Sequence, residues 1–90
     1  MRPEIVRRRF VEVDGDLMEE QEYLRRNAGA ANLRSWSCFC AFFPAMDAET
    51  MRGRFIRRHV EIVPSTDPAG VWVRGGHWDL ENAMDQIGDV

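Results

Sequence analysis

Apolar positions along this chain recur with period two in some stretches and with helical spacing in others, and turn residues separate them. From Glu4 to Val13 the chain is rich in isoleucine, valine and phenylalanine, then stops at Asp14-Gly15-Asp16. The β-branched content predicts a strand closed by a turn, although Val6, Phe10 and Val13 would also share one helical face. Asp16 and Glu19 stand three residues apart, the spacing of a capping pair, and open an expected helix running to about Ala28. Acids at its start (Glu19, Glu20, Glu22) and arginines at its end (Arg25, Arg26) oppose the helix dipole, and Gly29 offers a left-handed stop. Its apolar stripe of Leu17, Leu24 and Ala28 is narrow, so it is expected to lie on a sheet with one side in water.

Leu33 to Phe43 reads as the most buried strand. Trp36, Cys38, Cys40 and Phe42 alternate onto one face and Phe39, Ala41 and Phe43 onto the other, which implies an interior position. Pro44 ends it. Asp47 to Arg52 forms one or two helical turns before Gly53. A further strand is predicted from Arg54 to Val63, with Ile56, Val60 and Ile62 on one side and Arg57, His59 and Glu61 on the other. The segment Pro64-Ser65-Thr66-Asp67-Pro68-Ala69-Gly70 carries turn chemistry and is expected to be a loop, with Val71 to Arg74 returning as the second arm of a hairpin. After Gly75-Gly76, Asp79 can cap a closing helix. Its Leu80, Ala83, Met84 and Ile87 match an amphipathic template, and Gly88 stops it.

The predicted order is therefore β-α-β-(short α)-β-β-α. It describes one α+β domain over residues 1–90, with a three- or four-stranded, mostly antiparallel sheet and two helices packed on one face. Ninety residues, 44% apolar and 30% charged, agree with a single globular unit. No apolar run approaches the roughly 20 residues of a membrane span, and the start of the chain has no signal-type apolar stretch. A cytoplasmic protein with no membrane partner is expected.

The chemistry-bearing residues narrow the function only by class. No G-x-S-x-G, H-E-x-x-H or P-loop is present, so the chain is expected not to be an enzyme, and nothing in it calls for a cofactor. Cys38-Phe39-Cys40, with His59 and His77, could be read as a Cys/His metal site. A structural zinc site takes about four ligands, however, and thiols among aromatics behave as small hydrophobes. His77 follows two glycines at a helix mouth, where an anion could approach, though a plain turn accounts for the pattern equally well.

All twelve basic residues are arginine, against fifteen acids, for a net charge of −3. Such a molecule is not a general polyanion seeker, and any basic binding surface must be local. If the strands carrying Arg7, Arg9 and Arg57 were neighbours, those residues would form a stripe on the open sheet face. That stripe would suit an acidic protein surface or single-stranded nucleic acid. Arginine and tryptophan are enriched in interface hot spots. The expected function is thus a small binding or regulatory protein that docks on a macromolecular partner, most simply another protein. Its contact groups would be Arg7, Arg9, Arg57, Arg58, Trp72 and Arg74. Inhibitors carried by phages and mobile elements have this profile. A nucleic-acid-binding module and a metal-binding protein are the alternatives, and an open sheet edge, or a face bearing Trp36 and Phe42, could pair two copies.

Overall fold

Asp14 and Gly15 both take positive φ, 52° and 86°, the geometry of a two-residue turn whose twist matches that of flanking strands. They join β1 (Val6–Val13) to β2 (Asp16–Glu19) in a tight hairpin. In the computed structural model, which describes residues 3–27, 34–55, 59–66 and 68–87, the chain continues through α1 (Glu20–Arg26), β3 (Ser35–Pro44), α2 (Ala48–Arg54), β4 (Val60–Thr66), β5 (Ala69–Gly75) and α3 (His77–Ile87). The expected helix end at Ala28 and Gly29, the strand start at Leu33, Ile56 with Arg57 and Arg58, and the stop at Gly88 lie outside those residues.

One antiparallel sheet of five strands, ordered β2-β1-β3-β5-β4, organises the molecule. This corrects the expected three or four strands. The added strand is β2, because Asp14-Gly15 closes a hairpin where the capping pair Asp16/Glu19 had suggested a helix start. The cap moves three residues on: Glu19 Oε2 accepts the Glu22 N–H at 3.0 Å, and α1 begins only at Glu20. β3 is central, as its two apolar faces imply. β4 begins later than expected, because α2 runs on to Arg54 and Phe55 is drawn into the core beside Phe43, with ring centroids 6.3 Å apart. The expected loop at 64–70 is mostly strand, since the β4–β5 pairing extends to Thr66 and Ala69.

The register sorts side chains onto two faces. On the outer face, Ala41, Phe43, Val71 and Val73 meet Met51 and Phe55 of the α2 segment and Leu80, Ala83 and Met84 of α3 in one buried cluster. Two helices therefore do share a face, but they are α2 and α3, and α1 lies against the β1–β2 hairpin. The inner face holds a second cluster of Phe10, Cys40, Val63 and Trp72, with Val6, Leu17, Cys38 and Phe42 packed on it. Phe10 and Trp72 stand on strands separated by β3, yet their rings meet edge to face at 6.2 Å. That contact requires the sheet to curl toward its inner side. The curl brings β2 and β4, the two ends of the strand order, within 8 Å at Cα positions although no ladder joins them. The result is nearly a barrel.

Glu22 spans this seam. It is 3% exposed, and its Oε1 accepts the Thr66 N–H at 3.1 Å and lies 2.8 Å from Ser65 Oγ. The Thr66 amide thus points away from β5. Pro64, two residues earlier, occupies the same outward position and has no N–H to leave unpaired, which is why a proline is tolerated in this edge strand. Among the described residues no helix is long and apolar enough to cross a membrane.

Candidate functional site

α2 and α3 pack on β3, β4 and β5, and on the same outer face of β1 Val11 is buried while Arg7 and Arg9 stay exposed. Alternation along β1 places Arg7 and Arg9 on that face, opposite Phe39 and Ser37 of β3. The Arg7 guanidinium carbon stands 5.0 Å from the centroid of the Phe39 ring, close enough for cation–π attraction. Phe39 in turn meets His77 edge to face at 5.1 Å. Gly75 is the residue paired with Phe39 across to β5, so no side chain intervenes there. Arg9 is anchored at the other end of the strip. Its Nε and Nη2 donate to Ser35 Oγ at 3.1 and 2.8 Å, and Glu20 lies 3.6 Å away.

Next to this surface along the chain stands Trp78. It follows His77 in the first turn of α3 and is 73% exposed, the one exposed large hydrophobic side chain found among the described residues. Its position is the reason: at about 100° per residue it lies roughly 200° around the helix from Leu80, opposite the stripe that faces the core. The strip Arg9, Arg7, Phe39, His77 and Trp78 therefore combines two exposed cations with an aromatic support and an open indole.

Arg74 has the opposite setting. It lies on the inner face with its side chain 13% exposed, its guanidinium carbon 5.7 Å from the Phe10 ring and 5.8 Å from the Trp36 ring. Nη2 donates to Glu61 at 2.9 Å and Nη1 to Cys38 Sγ at 3.0 Å, while the buried Nε has no partner among the described residues. Burial opposes its charge, but the bonds and charges of Glu61 and Cys38 outweigh burial and hold its pKa above the usual arginine value. This arginine is a strut of the inner cluster. Trp72, 8% exposed and tilted against Phe42 at 4.9 Å, belongs to the same cluster.

The six residues expected to bind a partner thus separate. Arg7 and Arg9 share the outer strip, Trp72 and Arg74 lie across the sheet from them, and Arg57 and Arg58 fall outside the described residues. β1 and β4 are not neighbours, because β3 and β5 stand between them, and a stripe of Arg7, Arg9 and Arg57 involves a residue outside the described ones. Sequence reasoning missed Trp78 and Phe39 as surface groups. The signal for Trp78 was present in its place opposite the Leu80 stripe. The signal for Phe39 was not, because the open side of the strand depends on where the helices settle.

Cys38 and Cys40 are free thiols on the inner face. Cys40 is fully buried, and that burial, with the neighbouring Cys38, pushes its pKa up to about 12. His59 is exposed before β4, and His77 lies on the outer strip with Nε2 3.7 Å from Glu81. Among the described residues no three histidines, cysteines or acids are gathered where one metal ion could be held. α3 begins at His77, two residues before the expected cap Asp79, which lies inside its first turn. No protein-family model, no curated protein and no solved structure matches this chain.

Proposed function

We infer that the protein is a small non-enzymatic binding or regulatory protein that docks on another protein through the strip Arg7, Arg9, Phe39, His77 and Trp78. The observation that carries this reading is Trp78, 73% exposed in the first turn of α3 next to His77, whose ring meets the Phe39 of a cation–π pair. Aromatics and arginines are the residues that dominate interface energetics. The occupant that fits is an acidic segment with an apolar side chain: its carboxylates face Arg7 and Arg9, and its apolar group covers the indole. The net charge of −3 works against a long polyanion and leaves recognition of an acidic segment to the local arginines.

A capture experiment from the native host's lysate tests the reading, run with and without nuclease, on wild type and on the double variant Arg7→Glu/Trp78→Ala. A stoichiometric protein partner that survives nuclease and is lost with the double variant is the expected result. Recovery that ignores the substitutions would sink the assignment. The nucleic-acid reading draws on the same strip, with Trp78 as a stacking platform beside Arg7. It requires binding to short RNA or DNA that weakens steeply with salt.

A further inference from the structure

At one end of the curled sheet, between β1, α1 and the β4–β5 turn, a cleft of about 500 Å³ opens onto the inner face. Its apolar wall is made by Val6, Phe42 and Trp72, and Arg8, Glu19 and Arg25 stand at its polar side. Pockets for small ligands span about 300–1,000 Å³, join an apolar wall to a few converging polar groups, and are common at the mouths of β-barrels. Phe42 and Trp72 meet at 54° with centroids 4.9 Å apart, which makes a bent aromatic floor.

The charges decide what that floor would hold. The Arg8 guanidinium carbon stands 5.7 Å from the Trp72 ring centroid, so the ring attracts the cation toward the aromatic floor. Among the described residues no carboxylate forms an ion pair with Arg8. Glu19, 5% exposed, lines the same cleft, but its Oε2 accepts the Glu22 N–H and serves the start of α1. Glu4 at the exposed lip opposes a multiply charged anion more than a singly charged one. We propose that the cleft between Arg8, Phe42 and Trp72 binds a small flat carboxylic acid, its ring on Phe42 and Val6 and its carboxylate on Arg8. A planar guanidinium matches a carboxylate with two parallel hydrogen bonds.

Nothing in this proposal depends on the outer strip, which lies on the opposite face. The test uses ¹⁵N-labelled full-length protein and three probes that share a ring system: 2-naphthoate, 2-naphthalenemethanol and 2-naphthylmethylamine. The three indole N–H signals report separately. Saturable movement of the Trp72 signal with naphthoate, and a still Trp78 signal, is expected. The alcohol and the amine should bind about tenfold more weakly or worse, the difference of one charge-assisted bond. Arg8→Gln should weaken naphthoate by a similar factor with unchanged spectral dispersion, and Arg8→Lys should recover part of the loss. Equal binding of acid and alcohol, an Arg8→Gln variant with wild-type affinity, or a Trp72 signal that never moves would each overturn the proposal.

Discussion

Glu22 is the residue whose removal tests the curled architecture most directly. Its carboxylate links α1, next to β2, to the end of β4 across the seam. Glu22→Ala withdraws the acceptor of the Thr66 N–H. Ser65 keeps the Pro68 carbonyl oxygen at 2.6 Å and therefore loses little. A hydrogen bond to a charged group contributes about 1.5–3 kcal/mol, and the buried stem adds about 1 kcal/mol, so a loss of about 2–4 kcal/mol is expected. A chain of this length holds a total stability of about 5–13 kcal/mol, which makes the loss easy to measure. Glu22→Gln keeps the stem and one acceptor oxygen and should lose only about 1 kcal/mol. Urea titration followed by tryptophan fluorescence gives both values. Amide hydrogen exchange adds the local readout: the Thr66 amide should exchange far faster in Glu22→Ala, beyond the change at Val73 in the central part of the sheet. A Glu22→Ala protein within about 0.5 kcal/mol of wild type, with Thr66 exchange unchanged, would refute the claim that this carboxylate closes the seam.

Two glycines should respond oppositely to alanine, read by thermal melting. Gly70 has φ 152°, and a Cβ there would collide with the Phe43 carbonyl oxygen and lie 2.7 Å from Phe42 Cζ, so Gly70→Ala should lose about 3 kcal/mol or more. Gly53 sits inside α2 with nothing within 4 Å of the added carbon, so Gly53→Ala should gain about 0.5–1 kcal/mol. Cys40 predicts an alkaline limb. Its thiol titrates at about 12 when folded against an ordinary value of 9.0, so the folded state holds the proton that the unfolded state releases. The associated stability is complete below pH 9 and is lost as pH rises toward 12, by about 1.4 kcal/mol per pH unit in that window. Urea midpoints from pH 7 to 11 should fall more steeply for wild type than for Cys40→Ala, and parallel curves would remove Cys40 as the cause.

Features with a local cause were legible in the sequence. Period-two alternation identified β3 and predicted which of its residues share a face, because the pleat turns sequence parity directly into side-chain direction. Asp47 marked the start of α2, where its carboxylate accepts the Thr50 N–H at 2.8 Å, and the Leu80, Ala83, Met84 stripe marked the buried side of α3. The Asp14-Gly15 hairpin was equally local, but the capping pattern at Asp16 and Glu19 competed with it over the same residues. The contest was decided by β2 pairing along β1, a contact that spacing alone does not weigh. The candidate surfaces depended on more distant relations. Arg7 and Arg9 were on one face in any register, yet whether they stayed exposed there depended on α2 and α3 packing over the other three strands. Trp72 and Arg74 resembled surface anchors in a short polar-flanked strand, and the curl of the sheet buried them against Phe10. Glu22 resembled an ordinary helix-surface acid until β4 arrived beside it. Parity, caps and stripes are written within a few residues of each other; strand order, curvature and the meeting of two sheet edges join distant segments, such as Glu22 with Thr66 and Phe10 with Trp72, and only packing of the whole chain chooses among them.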